Sequence, residues 1–180
     1  MIEKLRRTNI LLVGILTVVG FAIFISINLL VFGNLPPSTY GILHYEFAWS
    51  VEKVELIFST WGAEIMGAQT RGIWWDFPYI IGYSLFISGL IWLVARLNTG
   101  KMQNIGLFLL STPFLAGFLD VIENIFLLIM LYDPGSIIQL YPRIAAVAAG
   151  IKFGLLIVGI FFFLFALVYG IIAKLRTRKS

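Results

Sequence analysis

From Ile10 to Phe32 the chain runs without a charged side chain, and this unbroken apolar length constrains the fold more than any other feature. A helix of about 20 residues covers the hydrocarbon of a bilayer, where the backbone finds no water and must satisfy its own hydrogen bonds. Three further stretches have the same character: about 73–97, about 104–132 and about 143–173. The pattern predicts an all-α fold, a polytopic membrane four-helix bundle, built as a single transmembrane domain over residues 1–180.

Composition agrees, with 60% of the residues hydrophobic and 12% charged, against roughly half and a quarter in soluble domains. There is no cysteine, so disulfides, thiolate metal sites and cysteine nucleophiles are excluded. A single histidine, His44, leaves no bis-histidine haem and no ordinary zinc set. No cofactor and no metal are expected. The first apolar run is longer than the core of a signal peptide and lacks a small-residue cleavage site, so it is read as a retained span.

Between the first two spans, Gly33-Asn34-Leu35-Pro36-Pro37-Ser38 opens a loop over 33–72. Within it Val51, Val54, Phe58, Trp61 and Ile65 recur at helical spacing, with Glu52, Lys53, Glu55, Ser59 and Glu64 on the other positions. Ser50 suits an N-cap and Glu52 the first turn. An amphipathic helix lying on the bilayer surface or over the bundle is expected there, with Trp49 and Trp61 at headgroup depth. Pro113 is expected to bend the third span one to two turns before Asp120.

Charge sets the orientation. Nine of the thirteen basic residues lie in the N-terminal tail, the Arg96–Lys101 turn and the C-terminal tail, joined by Glu3 alone among nine acids. The positive-inside rule makes those segments cytoplasmic and the 33–72 loop extracytoplasmic, in a multi-pass protein of the cell membrane. The basic tails then meet anionic lipid headgroups, not nucleic acid.

One stretch departs from the apolar pattern. Phe118-Leu119-Asp120-Val121-Ile122-Glu123-Asn124 puts Asp120, Glu123 and Asn124 on one helix face inside the third span. A carboxylate at that depth costs on the order of 3 kcal/mol and has to face protein and a partner. Lys152 in the fourth span lies at matching depth, ~13 Å from the same end, and is expected to pair with Glu123. Ala116 and Gly117, with Ala145, Ala149 and Gly159, supply small faces for close approach of these two helices. Asp76 enters from the outer end of the second span, Asn28 lies near the outer end of the first, and Ser84 and Ser88 reach similar depth, so a polar pocket in the outer half, roofed by the loop helix, is expected. Two acids against one base leave a surplus, which a proton shared between Asp120 and Glu123 would balance, or else a cationic ligand, Arg71, Arg143 or His44. A metal held by His44, Glu46 and Asp76 is disfavoured against a solvated loop pair. The run Phe161-Phe162-Phe163-Leu164-Phe165 reads as lipid-facing packing.

The segments Tyr40-Gly41-Ile42-Leu43, Glu46-Phe47-Ala48-Trp49, Trp61-Gly62, Trp75-Asp76-Phe77 and Leu115 to Asn124, followed by a lysine in the last span, carry a resemblance. The chain resembles a group of prokaryotic four-span integral membrane proteins with a DxxEN element in the third span. The group has no assigned activity, so the resemblance implies a layout, and it implies that Glu46 and Asp76 belong with the deep cluster.

Three function classes follow. The polar pocket binds or translocates a proton, a cation or an amphipathic ligand, through Asp120, Glu123, Asn124, Lys152, Asp76 and Glu46; translocation by four spans without an internal repeat calls for a homo-oligomer. Alternatively the cluster only locks helix packing in an accessory subunit. A third class is an intramembrane enzyme using the carboxylate pair as general acid and base. An opening that reaches Asp120 separates the first and third from a sealed lock.

Overall fold

The computed structural model describes residues 9–177, and among these all regular structure is helical. In chain order come α1 (Ile10–Leu30), a 3-10 turn (Phe32–Asn34), α2 (Ile42–Glu46), α3 (Val51–Leu97), α4 (Gly100–Leu109), α5 (Thr112–Tyr132), a second 3-10 turn (Pro134–Ser136) and α6 (Leu140–Thr177). Four helical passes are long and apolar enough to cross a membrane: Ile10–Asn34, Val51–Leu97, Gly100–Tyr132 and Leu140–Arg176. The tail residues Lys4, Arg6, Arg7, Arg178 and Lys179 on which the orientation partly rests lie outside the described residues.

The loop helix is shorter than expected and runs directly into the second pass. Ser50 caps it, its side chain accepting from Lys53 N, and Glu52 sits in the first turn. The helix breaks at Gly62, whose φ of 62° and ψ of −178° are open to glycine and strained for any other residue. From residue 63 the helix continues to Leu97, so Glu64 and Arg71 belong to the pass and not to a surface helix. Trp49 is half exposed, but Trp61 is buried at 3%, its Nε1 donating to Tyr40 O at 2.6 Å. That tryptophan pins the loop to the bundle instead of marking an interface.

Two clamps fix where α2 sits. Tyr45 is fully buried and its hydroxyl donates to Leu127 O on α5 at 2.8 Å. Trp49 takes a left-handed φ of 61°, and the Gln139 carboxamide holds that turn, donating to Trp49 O and accepting from Val51 N.

The third pass is two helices, not one bent helix. Its ladder is interrupted at Leu110–Ser111, with Pro113 in the first turn of α5. Proline lacks the amide that would bond Leu109 O. Thr112 Oγ1 donates to that carbonyl at 2.9 Å, and Ser88 Oγ and Ser84 Oγ donate to Leu110 O and Pro113 O. Ser84 and Ser88 therefore serve the backbone of the break and take no part in a polar pocket.

Helix α3 is the centre of the bundle, packed against α1 on one side and α4, α5 and α6 on the other. Its seam with α1 rests on glycines: a Cβ on Gly20 would come within 2.6 Å of Phe86 N, and one on Gly82 within 2.8 Å of Phe24 N. Backbones approach this closely only without side chains between them. Ala116, Ala145 and Ala149 are buried without exposure. Gly117 faces Ile80 and Ser84 of α3 and so belongs to a different seam from the one expected, while Gly159 faces Ile91 of α3 and Thr112 of α5. Helices α1 and α6 each pack on α3, with no packed seam between them.

Candidate functional site

Asp120, Glu123 and Asn124 do share one face of α5, turned inward at 3%, 0% and 3% exposure. Lys152 of α6, 5% exposed, reaches across to them. Its Nζ lies 2.7 Å from Asp120 Oδ1, 2.7 Å from Glu123 Oε2 and 3.9 Å from Glu46 Oε2. The lysine thus bridges two acids of α5 instead of pairing with Glu123 alone, and a third acid arrives from α2. Asp120 is satisfied on both oxygens, since Tyr83 Oη of α3 donates to Oδ2 at 2.9 Å. Asn124 Nδ2 donates to Asp76 Oδ2 at 2.6 Å, which brings the fourth acid alongside.

The charge imbalance is larger than two acids against one base. Glu46, Asp76, Asp120 and Glu123 surround a single lysine, and full ionisation would leave the group at −3 (four acids less one base) in a setting where unpaired charge is costly. His44, Arg71 and Arg143, the other cations considered, are all exposed. Glu46 Oε2 and both oxygens of Glu123 accept no well-formed hydrogen bond. Burial pushes the Glu46 carboxyl above the ordinary range, against the pull of Lys152, with Asp120 adding to the rise. Glu46 and Glu123 meet at the same lysine, their Oε2 atoms 3.9 Å and 2.7 Å from Lys152 Nζ. Both Asp120 oxygens already accept, from Tyr83 and Lys152, so the carboxyls left with a buried oxygen free of a hydrogen-bond donor are Glu46 and Glu123.

This cluster closes one end of a cavity of about 730 Å³. Glu46, Gln69, Asp76, Asp120, Asn124 and Lys152 face into that end, whereas Glu123 lies behind the lysine and does not. The rest of the wall is apolar and rich in rings: Phe24 of α1, Phe86 and Leu90 of α3, and Leu156, Ile160 and Phe163 of α6. Along α6 the lining runs from Lys152 to Leu164, ~18 Å at the helical rise. That is close to half of a bilayer's hydrocarbon thickness, roughly 15 Å. Among the described residues α1 and α6 share no packed seam, although Phe24 of α1 and Leu156, Ile160 and Leu164 of α6 all line the cavity. Ile157, Ile160 and Leu164 at its edge are 52%, 44% and 51% exposed.

The Phe-rich run is accordingly split. Phe161 and Phe165 point outward at 68% and 61% exposure, while Phe163 and Leu164 line the cavity. Asn28 is outside the cluster; its Nδ2 donates to Tyr79 Oη at 3.1 Å and ties α1 to a lining residue of α3. Tyr83 and Gln69 were not anticipated. Their signal was nonetheless present, because Gln69, Ile73, Asp76, Tyr79/Ile80, Tyr83, Ile87 and Leu90 follow the 3–4 spacing of a single helix face. Comparison of the chain with family models, with curated proteins and with solved structures finds no match. Among the described residues no group of three or more His, Asp or Glu side chains is arranged to hold a metal ion.

Proposed function

We propose that this protein is a multi-pass protein of the cell membrane, with both termini cytoplasmic, that binds a membrane-resident amphipathic ligand. The head of the ligand meets the carboxylate and lysine cluster in the outer half of the bilayer, and its tail lies along the ring-lined cavity. One observation carries this reading: a cavity of about 730 Å³ has all its charged lining residues toward one end, and its apolar wall is shared by α1, α3 and α6, of which α1 and α6 are not packed on each other. A polar head with an apolar tail matches that division, because each part meets the surface it prefers. Access from the side lets such a ligand enter without leaving the bilayer. A lock for helix packing has no need of a cavity reaching Asp120, and no activated nucleophile stands beside the acids to favour catalysis.

The test is photolabelling of the full chain in maltoside micelles with a long-chain alcohol carrying a diazirine at its tail. Labels are expected on Phe24, Leu90 and Ile160, and are expected to vanish when Leu90→Trp fills the cavity. Labelling spread evenly over outward residues such as Leu29 and Val168 would reject the site.

A further inference from the structure

The charges around the head end restrict what the head can be, an inference that rests on the amphiphile reading above. Three acids face the cavity there, Glu46, Asp76 and Asp120, against Lys152 alone. The lysine is committed to Asp120 and Glu123 at 2.7 Å each, and so offers little to an incoming anion. Glu46 is 8% exposed, lines the cavity and presents a buried Oε2 without a hydrogen-bond donor. Asp76 accepts on one oxygen only, from Asn124. Aromatic rings stand around these groups, with Tyr79 and Tyr83 of α3 and Phe153 of α6 among the lining. Carboxylates without donors, set among ring faces, recognise a cation.

We propose that the ligand is a cationic amphiphile, an ammonium head on an apolar tail, and that it enters in exchange for a proton shared by Glu46 and Glu123, which stand together around Lys152 Nζ. The balance is simple. The ammonium charge arrives, the shared proton leaves from the Glu46–Glu123 pair to water on the loop side, and the net charge of the buried cluster stays the same. Exchange keeps the charge of the site constant, so neither entry nor loss of the ligand adds a further uncompensated charge to a buried cluster. The ionisable groups facing the exchange site are Glu46 of α2, Asp76, Tyr79 and Tyr83 of α3, Asp120 and Glu123 of α5 and Lys152 of α6. Helix α1 contributes none.

Three probes with the same dodecyl tail test this by competition with the diazirine alcohol on the full chain in maltoside micelles: dodecyltrimethylammonium, dodecanol and dodecyl phosphate. The charge of the first is fixed, so any dependence on pH belongs to the protein. The ammonium is expected to compete at a concentration at least tenfold lower than the alcohol, with the phosphate weakest. Its apparent affinity is expected to rise with pH, approaching about tenfold per unit, because binding releases a proton. A weakly buffered indicator should record that release. Glu46→Gln should abolish the release and the pH dependence while leaving dodecanol competition in place, which also certifies that the variant is folded. Equal competition by ammonium and alcohol, preference for phosphate, or ammonium binding without proton release would overturn the exchange. If none of the three probes competes, the amphiphile reading itself falls.

Discussion

Along the seam between α1 and α3, α1 brings no charged side chain, and the helices meet where Gly20 and Gly82 let backbones touch. Along the seam between α5 and α6, alanines play the same part, yet Asp120, Glu123 and Lys152 are buried in it as well. At the other end of the bundle Asn98 Nδ2 of the α3–α4 turn donates to Ala166 O at 2.9 Å, joining α3 to α6 without any charge. Small residues and neutral amides are therefore sufficient to hold these helices. Adhesion alone does not account for a buried lysine with three buried acids, Glu46, Asp120 and Glu123, and a half-buried fourth, Asp76. What the α5–α6 seam has and the α1–α3 seam lacks is ionisable charge facing a cavity, which is the property a ligand or a proton can use.

Breaking each seam should reveal the difference. The largest effect is expected from Lys152→Met, which strands three acids, Glu46, Asp120 and Glu123; loss of one partner from a buried charge group costs about 3–5 kcal/mol. Thermal unfolding in micelles should show that loss, and Lys152→Met with Glu123→Gln should recover part of it. An absence of recovery would remove the Lys152–Glu123 ion pair from the account. Gly82→Leu should cost about 1–3 kcal/mol by forcing the α1 and α3 backbones apart. Because a side chain at Gly82 would meet only uncharged groups, Phe24 N and Ile23, that cost should vary little between about pH 4 and about pH 9, whereas the Lys152→Met cost should shrink in acid as the stranded carboxyls take up protons.

A smaller change concerns α2. The Glu46 carboxyl titrates above its ordinary value because it is buried, so between that value and the raised one the folded protein holds a proton that the unfolded chain has released. Stability should accordingly fall as pH rises through that interval, and Glu46→Gln should flatten the dependence. The fluorescence of Trp61, buried beneath the loop, would report it during thermal melts at a series of pH values. The smallest effect is expected from Tyr83→Phe, about 1 kcal/mol for one hydrogen bond to Asp120, read from the same melts. A cost as large as that of Lys152→Met would make Tyr83 an equal member of the charge cluster and blur the contrast between the seams.

Some of this was legible before any coordinates. The apolar runs define the four passes because a bilayer-length helix needs nothing beyond its own backbone bonds and an apolar surface. Asp120, Glu123, Asn124 and Lys152 stand out because charge inside such a run has to be explained. Asp76 joined them by its place at the outer end of the second span, and Glu46 through the resemblance of short segments. The break at Gly62 was hidden, since Trp61-Gly62 sits in an otherwise helical pattern and nothing local announces a φ of 62°. Pro113 was visible as a disruption, but whether it bends or divides a helix depends on the Thr112, Ser84 and Ser88 hydroxyls that bond the carbonyls around it.

By itself the amino-acid sequence determined the helical class, the number of passes and the presence of acids and a lysine deep within them, because each follows from local hydrophobicity and helical period. Only the tertiary structure decided that Lys152 bridges Asp120 and Glu123, that Glu46 descends from the loop to join them, and that α1 stands away from α6. Those arrangements depend on contacts between residues as far apart as Glu46 and Lys152. Spacing along one helix says which side chains share a face, but the partner that face meets is set by how all the helices pack together.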